Sequence, residues 1–428
     1  MTTRGNARDQ LLDEPGCRGM GWKITATATA SGLTASTTDP RVARAAVASE
    51  GLTGYWLYFP SGASANQVRM IASVSVSSGT TTITTDGPNY NETLTGVTAY
   101  ILSVDPNHIN SLFNDALAEL FTEFEIPLAH GPTDYDMSAA ADTDWTESGA
   151  TDTKTTTAAD VFSGRQAMTV ANAGAGDYTR SGVVRLGQSR KALFFGVWKA
   201  DVGTGVLRLR DSANNSLDTL SHDEEEFVYG AKLYAGSSTV EGVELDLEGT
   251  ESTADIDWDC AGIVRPEDYI FRLPSWIDHR FNLRAVCKAR WHTSKDTNLW
   301  YAFSKTLEAL QEGVHYRYIR RPGEANPYAI ELTEQGHAEA NLTEHPLWLV
   351  GLRPYSDIAT FSDDTTSHPV PEDELVAKVK VYLGLSYRDK FPALAEIADR
   401  EERKAKTNAR TEEPPQERWS GPIGGRRI

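Results

Sequence analysis

The sequence predicts an α+β host domain, built of long helices and β-hairpins, that is interrupted at about residues 133–264 by an inserted all-β sandwich. Three observations lead there. At 428 residues the chain exceeds what one core supports, since single cores stop growing at roughly 250–300 residues. Hydrophobic residues at 40% and aromatics at 9% supply enough apolar surface for real cores. The composition also changes twice, from helix- and hairpin-forming stretches to a run of short strands between turn residues, and then back.

Residues 1–22 carry Gly, Asp, Pro and scattered charge without periodicity, so they read as an N-terminal arm. Residues 23–132 form the first part of the host. Stretches 22–30, 54–59, 68–74 and 80–85 alternate in strand fashion around Gly, Ser and Asp turns. Asp105 and Pro106 then open the clearest helix, with apolar residues at Ile109, Leu112, Phe113, Ala116, Leu117, Leu120, Phe121 and Phe124. Within 133–264, strands are expected at 167–170, 193–199, 205–210 and 242–248. Residues 265–407 complete the host. They hold a strand at 284–290, an amphipathic helix through Leu299, Trp300, Phe303, Leu307 and Leu310 that stops at Gly313, and strands at 314–320 and 328–332. A helix started by Pro371 and a charged helix over 391–406 follow. Residues 408–428, with Trp419 and a terminal Arg-Arg-Ile, form an extended tail suited to docking on a neighbour.

The net charge is −19, and residues 134–259 alone hold 23 acids against 10 bases. Such a surface repels phosphate backbones and argues against wrapping nucleic acid. No run approaches the roughly 18 apolar residues that span a bilayer, and no apolar segment follows the basic start, so synthesis in a cytoplasm without insertion is expected. Cys17, Cys260 and Cys287 are odd in number and lack CxxC spacing, which points to incidental thiols.

The flanking halves carry a Gly-Tyr-Trp-Leu-Tyr-Phe strand from Gly54, a Thr-rich hairpin, the Asp105-Pro-Asn-His-Ile-Asn-Ser-Leu-Phe-Asn-Asp-Ala-Leu helix and the segment from Val370 to Leu383. In this pattern the chain resembles head–tail connector or neck (adaptor) proteins of tailed bacteriophages. The resemblance covers about residues 50–125 and 270–410. It implies a non-enzymatic structural protein of the virion, made in a bacterial cytoplasm, whose partners are identical copies in a homo-oligomeric ring and the portal or tail proteins. The middle segment resembles a carbohydrate-binding-module jelly roll, through Asp144-Trp145, Ser163 to Val170, Phe195 to Ala200 and Asp255 to Ile263. That implies a jelly-roll sandwich displayed outward, with a surface glycan as its ligand. The alternative is a tail-fibre or adhesion protein in which the jelly roll does the binding, although the repeats and heptads common in fibres are missing from the sequence. A carbohydrate-active enzyme ranks last.

No catalytic, cofactor or metal site is expected. Asp255, Asp257 and Asp259 are two apart on a strand and could converge on Ca²⁺, and related jelly rolls often hold a calcium near this last strand. A row of acids on the solvent side of an edge strand is the commoner use of such a pattern. Asp223 and Glu224 to Glu226 form a run that points in every direction, unlike a glycosidase pair. Trp145, Trp198, Tyr178, Tyr229 and Tyr234 could stack on sugar rings. Trp198 reads as core, and Trp145 as the exposed candidate. His279, His292 and His315 lack metal or triad spacing, and the Gly203 and Gly205 pair reads as a hairpin turn rather than a phosphate loop. The basic groups Arg317, Arg320 with Arg321, Arg403 with Lys404 and Lys406, and Arg426 with Arg427 suit acidic faces of a protein neighbour.

Overall fold

The Thr- and Val-rich alternation at the start of the chain closes into a six-stranded antiparallel barrel. Its strands run in the order Gly21–Ala28, Thr34–Thr37, Thr80–Thr85, Gln67–Ser77, Trp56–Phe59 and Leu94–Leu102, which returns to the first. Ile24, Ala26, Leu57, Phe59, Ile71, Ile83 and Ile101 fill it. The structure is a computed structural model that describes residues 2–411, apart from 15, 18, 31, 49–50, 61–66, 139–143, 156–160, 163–165, 173, 188–189, 292–299, 302–304, 324–325, 358–359 and 366. The chain divides into two units, Met1–Leu120 with Thr360–Ile428, and Phe121–Ala359.

In the first unit the barrel is accompanied by helices Arg4–Asp13, Pro40–Val47, Pro106–Glu119, Glu372–Ser386 and Pro392–Thr411. Asp105 caps the third of these by accepting from the Asn107 N–H at 2.9 Å. The helix at 4–13 corrects the expectation of an irregular arm. Its buried side is Arg4, Ala7, Arg8, Leu11 and Leu12, so two arginines occupy positions where a sequence pattern looks for apolar residues. Arg8 is fully buried. Its guanidinium donates to both oxygens of Asp364, to Oδ1 at 2.8 Å, and to Asn110 Oδ1 at 2.6 Å. It also lies over the rings of Tyr58 and Tyr100, 4.8 and 5.0 Å from their centroids. Arg4 Nε donates to the same carboxylate at 2.8 Å. Thr2–Thr3 pairs antiparallel with Ser367–His368 beside it. One carboxylate thus ties the first helix to a segment some 350 residues later.

The second unit is layered. Six strands, Thr151–Thr155, Ala167–Ala171, Asp255–Val264, Ala192–Val202, Val228–Tyr234 and Trp300–Tyr301, form one sheet in that order. Facing it is a sheet in the order Ser216–His222, Gly205–Asp211, Gly242–Gly249, Tyr178–Ser181 and Trp145–Ser148, with the short Val184–Arg185 also paired to Gly242–Gly249. All these pairings are antiparallel. The two sheets make a jelly-roll type of sandwich around Phe194, Trp198, Trp258, Leu207, Leu209, Leu245 and Leu247.

A third layer covers part of the first of these sheets. Strands Lys305–Ala309, Leu283–Trp291, Leu347–Pro354 and Phe121–Pro127 form one sheet, and Ile270–Arg272, Tyr328–Leu332 and Tyr316–Arg320 another. Their Phe124, Ile126, Val286, Leu347, Trp348, Leu349 and Ile330 join one core with Leu193, Phe195, Val197, Tyr229, Ala231 and Cys260 of the sandwich. Trp348 meets Tyr229 edge-on at 5.6 Å. Gly262 is what allows this approach, since a Cβ there would lie 2.7 Å from both Ala129 Cβ and Phe195 Cζ.

Three further expectations are corrected. Leu120, Phe121 and Phe124 do not extend the helix: it ends at Glu119 and Phe121–Pro127 is a strand, paired residue by residue with Leu347–Pro354. The helix expected over 299–313 is replaced by strands Trp300–Tyr301 and Lys305–Ala309, the second paired with Cys287 to Trp291, so tertiary pairing overrides a helix-like spacing. Residues 292–299 and 302–304 of that stretch lie outside the described residues. Gly203 and Gly205 do not close a hairpin, because the strands on either side belong to opposite sheets of the sandwich. The helix from Pro371 and the charged helix are present as Glu372–Ser386 and Pro392–Thr411, while residues 412–428 of the tail are outside the described residues.

Two outcomes follow for stability. Asp364→Asn should lower the unfolding free energy of the first unit by about 3–5 kcal/mol in urea titration, because it leaves Arg8 buried without its counter-charge. Burial pushes the Asp364 carboxyl up, but the hydrogen bonds and charge of Arg8 and Arg4 outweigh it and hold the group below the usual carboxylate range. Its stabilisation is therefore complete above about pH 4 and is lost as pH falls through the lower folded value. Gly262→Leu should destabilise the second unit by about 1–3 kcal/mol through overpacking between layers, read by the same titration.

Candidate functional site

The outer face of the Gly242–Gly249 sheet is set by strict alternation. Along Gly205–Asp211, Leu207 and Leu209 point inward and Arg208 and Arg210 outward; along Gly242–Gly249, Val243, Leu245 and Leu247 point inward and Glu244, Asp246 and Glu248 outward. The Tyr178–Ser181 strand sends Tyr178 and Arg180 to the same outer face. The cross-strand register then places Arg208 and Arg180 opposite Asp246, and Tyr178 opposite Glu248.

These residues lock together. Arg180 grips Asp246 through two bonds, at 2.6 and 2.9 Å. Arg208 grips Glu248 through two more, both 2.6 Å. Arg210 bridges the two carboxylates, bonding Asp246 and reaching Glu248 at 3.3 Å. Asp246 is fully buried beneath the guanidiniums, whose own side chains remain 18–28% exposed. Burial lifts the Glu244 carboxyl despite the nearby Arg180 charge. The Tyr178 ring lies beside the cluster, with the Arg180 guanidinium 4.6 Å and that of Arg210 5.9 Å from its centroid. Thr146, Ser148, Thr219 and Ser221 around the array are exposed. The result is a stiff surface of donors and acceptors next to one half-buried aromatic ring.

Of the aromatic residues singled out in the sequence, this face holds Tyr178. Trp145 is buried, which corrects its choice as the exposed candidate: it sits opposite Ser181 on the inner side, with Nε1 3.3 Å from the Asp134 carbonyl. Trp198 is core, stacked on Trp258 at 4.5 Å and on His222 at 4.3 Å. Tyr229 is buried against the third layer, and Tyr234 is half-buried against the sandwich core.

Asp255, Asp257 and Asp259 are not on an edge: their strand lies between Ala167–Ala171 and Ala192–Val202. A register shift opposite Val197 and Trp198 also removes Asp259 from the alternation. Asp257 pairs with Lys199 at 3.0 Å and accepts from the Thr169 hydroxyl, and Asp259 accepts from the Phe162 N–H at 2.9 Å. Among the described residues, no group of three His, Cys, Asp or Glu could hold a metal ion. Asp223 and Glu224 to Glu226 are exposed in the turn after His222. His279 packs between Tyr318 and Tyr328, and His315 accepts from the Gln311 N–H; His292 lies outside the described residues. Arg317 pairs with Glu331 and Lys404 with Glu401, whereas Arg321 lines a cleft; Arg426 and Arg427 are outside the described residues. No helix among the described residues is long and apolar enough to cross a membrane.

No family model matches the chain, and no curated protein matches it in sequence. Among solved structures it is similar to the enzymatically active domain of bacteriophage CBA120 tailspike protein 4, with 12% identity and a TM-score of 0.26, over 32% of this chain and 22% of that one. It is also similar to TmCBM61 in complex with β-1,4-galactotriose, with 13% identity and a TM-score of 0.25, over 31% of this chain and 95% of that one. The xylan-binding domain from CBM 22 has 13% identity and a TM-score of 0.27, over 32% of this chain and 95% of that one.

The residues missed in the sequence are Arg180, Arg208, Arg210, Asp246 and Glu248. A signal was present: an Arg-Leu-Arg strand and a Glu-Leu-Asp-Leu-Glu strand, each alternating charge with leucine and opposite in sign.

The buried histidines give this unit a pH dependence. Burial pushes His222 down to about 4, and burial together with the Arg265 charge pushes His130 down to about 3. Both are neutral when folded and titrate near 6.5 when unfolded, so the unfolded chain binds protons first as pH drops. Stability should be complete above about pH 6.5 and decline toward pH 4. His222→Gln should reduce that slope by the equivalent of one proton, measured from urea midpoints between pH 7 and pH 5.

Proposed function

We propose that the jelly-roll sandwich is a saccharide-binding module and that the chain serves in adhesion, with the remaining structure as its attachment base. One observation carries this reading: Tyr178, Arg180, Arg208 and Arg210 present a half-buried ring and partly exposed guanidiniums on the outer face of one sheet, while the third layer covers the Leu193, Phe195, Val197, Tyr229 and Cys260 side of the other. A sugar presents neighbouring hydroxyls that both donate and accept. Guanidiniums already fixed by bidentate pairs with buried carboxylates, beside the exposed hydroxyls of Thr146, Ser148, Thr219 and Ser221, can meet such hydroxyls with little loss of side-chain freedom. Tyr178 adds amphipathic surface beside the array. A single site of this kind is weak and gains from many copies on one particle. The proposal assigns binding without turnover.

The head–tail connector reading rests on the sequence pattern of the flanking halves. It differs from adhesion in predicting closed rings, which the mass of the purified protein in solution reports directly.

The test of the binding reading is retention of the full chain on a glycan array, with Tyr178→Ala and Arg208→Ala as variants whose folding is checked by thermal unfolding. Retention on defined saccharides, reduced about tenfold or more in affinity by either substitution, is the expected result. An array that retains nothing, or retains both variants as well as the parent, would refute the proposal.

A further inference from the structure

The first unit holds a cleft of its own. Where the Arg4–Asp13 helix meets the start of the Gly21–Ala28 strand, about 320 Å³ of space is lined by Asp9, Leu12, Asp13, Trp22, Lys23 and Arg41. That volume is at the low end of small-molecule sites, roughly 300–1,000 Å³. The first helix, the first barrel strand and the Pro40–Val47 helix each contribute, so the lining is set by the fold of the unit.

Three of the four charged residues in the lining are already paired. Asp9 accepts from the Tyr100 hydroxyl at 2.7 Å and forms an ion pair with Lys23. Arg41 bonds the Asp39 carboxylate at 2.7 Å and donates to the Lys23 carbonyl at 2.8 Å. Asp13 differs: it is exposed and, among the described residues, has no hydrogen-bond or ion-pair partner for its carboxylate. It is also the last residue of its helix, and no basic residue stands in that last turn. A carboxylate there opposes the helix dipole, which favours cations at this end. Neither pairing nor helix stability therefore accounts for an acid at this position. With Lys23 offset by Asp9 and Arg41 by Asp39, the charge left at the cleft is the negative one of Asp13.

Trp22 supplies the second component. It is half-buried, and its ring lies on that of Tyr55, with 6.3 Å between centroids and 11° between planes. Of the aromatic side chains, indole is the best at holding a cation against its face. A carboxylate without a partner in the same cleft offers the counter-charge.

We propose that this cleft binds an organic ammonium group, with Trp22 against the cation and Asp13 as its counter-charge. The site belongs to the first unit and does not rest on the saccharide reading of the sandwich.

The experiment is calorimetric titration of the full chain with choline and with neohexanol, its uncharged isostere in which carbon replaces the nitrogen, at low and at high NaCl. The comparison proteins are Asp13→Asn and Trp22→Leu, each checked by thermal unfolding. Asp13 is exposed and unpaired, so Asp13→Asn carries the test should Trp22→Leu fail to fold. Choline binding that weakens with salt, exceeds that of neohexanol, and falls about fivefold or more in each folded variant is the expected result. Absence of choline binding at millimolar concentration, equal binding of neohexanol, or binding that a folded variant retains in full would overturn the proposal.

Discussion

The strand Ala192–Val202 is covered on both faces, and the second unit depends on that. Phe194 and Trp198 face the sandwich interior, while Leu193, Phe195 and Val197 face the third layer. Fully burying side chains of this kind stabilises by about 1.5–3 kcal/mol each, so two sets on one strand couple the sandwich to the sheets outside it. The covered sheet thereby becomes a middle layer. The Leu193, Phe195, Val197, Tyr229 and Cys260 part of its outer face is closed to a ligand.

Part of this could be read from the sequence. The run from Leu193 to Trp198 is apolar throughout instead of alternating, which is how a strand buried on both sides is written. Two strands of the open sheet, Gly205–Asp211 and Gly242–Gly249, alternate cleanly and were expected for that reason, whereas Trp145–Ser148, Tyr178–Ser181 and Ser216–His222 were not. Strands of the third layer at 284–290, 314–320 and 328–332 were also expected, but that they cover the sandwich was not legible, because the layer is completed by 121–127, which continues a helical rhythm and becomes a strand only by pairing with 347–354. Local spacing misled in the same places: Phe121 and Phe124 continue a helical rhythm although Phe124 is needed in the core beside Trp276, 4.9 Å away.

Charged residues were the harder half. Arg8 and Asp364 lie hundreds of residues apart and look like ordinary surface charges until the fold brings them together in the interior. Arg208, Arg210, Asp246 and Glu248 likewise became a single array only once the register was known. Aromatic residues attracted the first attention as sugar platforms, yet burial claimed Trp145, Trp198 and Tyr229. The open face offers Tyr178 and a set of ion pairs instead, which favours recognition through hydrogen bonds over stacking on a broad apolar surface.

The third layer covers the Cys260 side of the sandwich. Cys260 and Cys287 report on it directly, since both are buried in the core shared by the sandwich and the third layer. The deciding measurement is maleimide labelling of the native protein, resolved by peptide mass, beside the same reaction in urea. Both thiols should stay unmodified in the native protein and react fully once it is unfolded. Rapid modification of Cys260 while the sandwich keeps its β-sheet signal would show that this side of the sheet is open and that the third layer does not cover it.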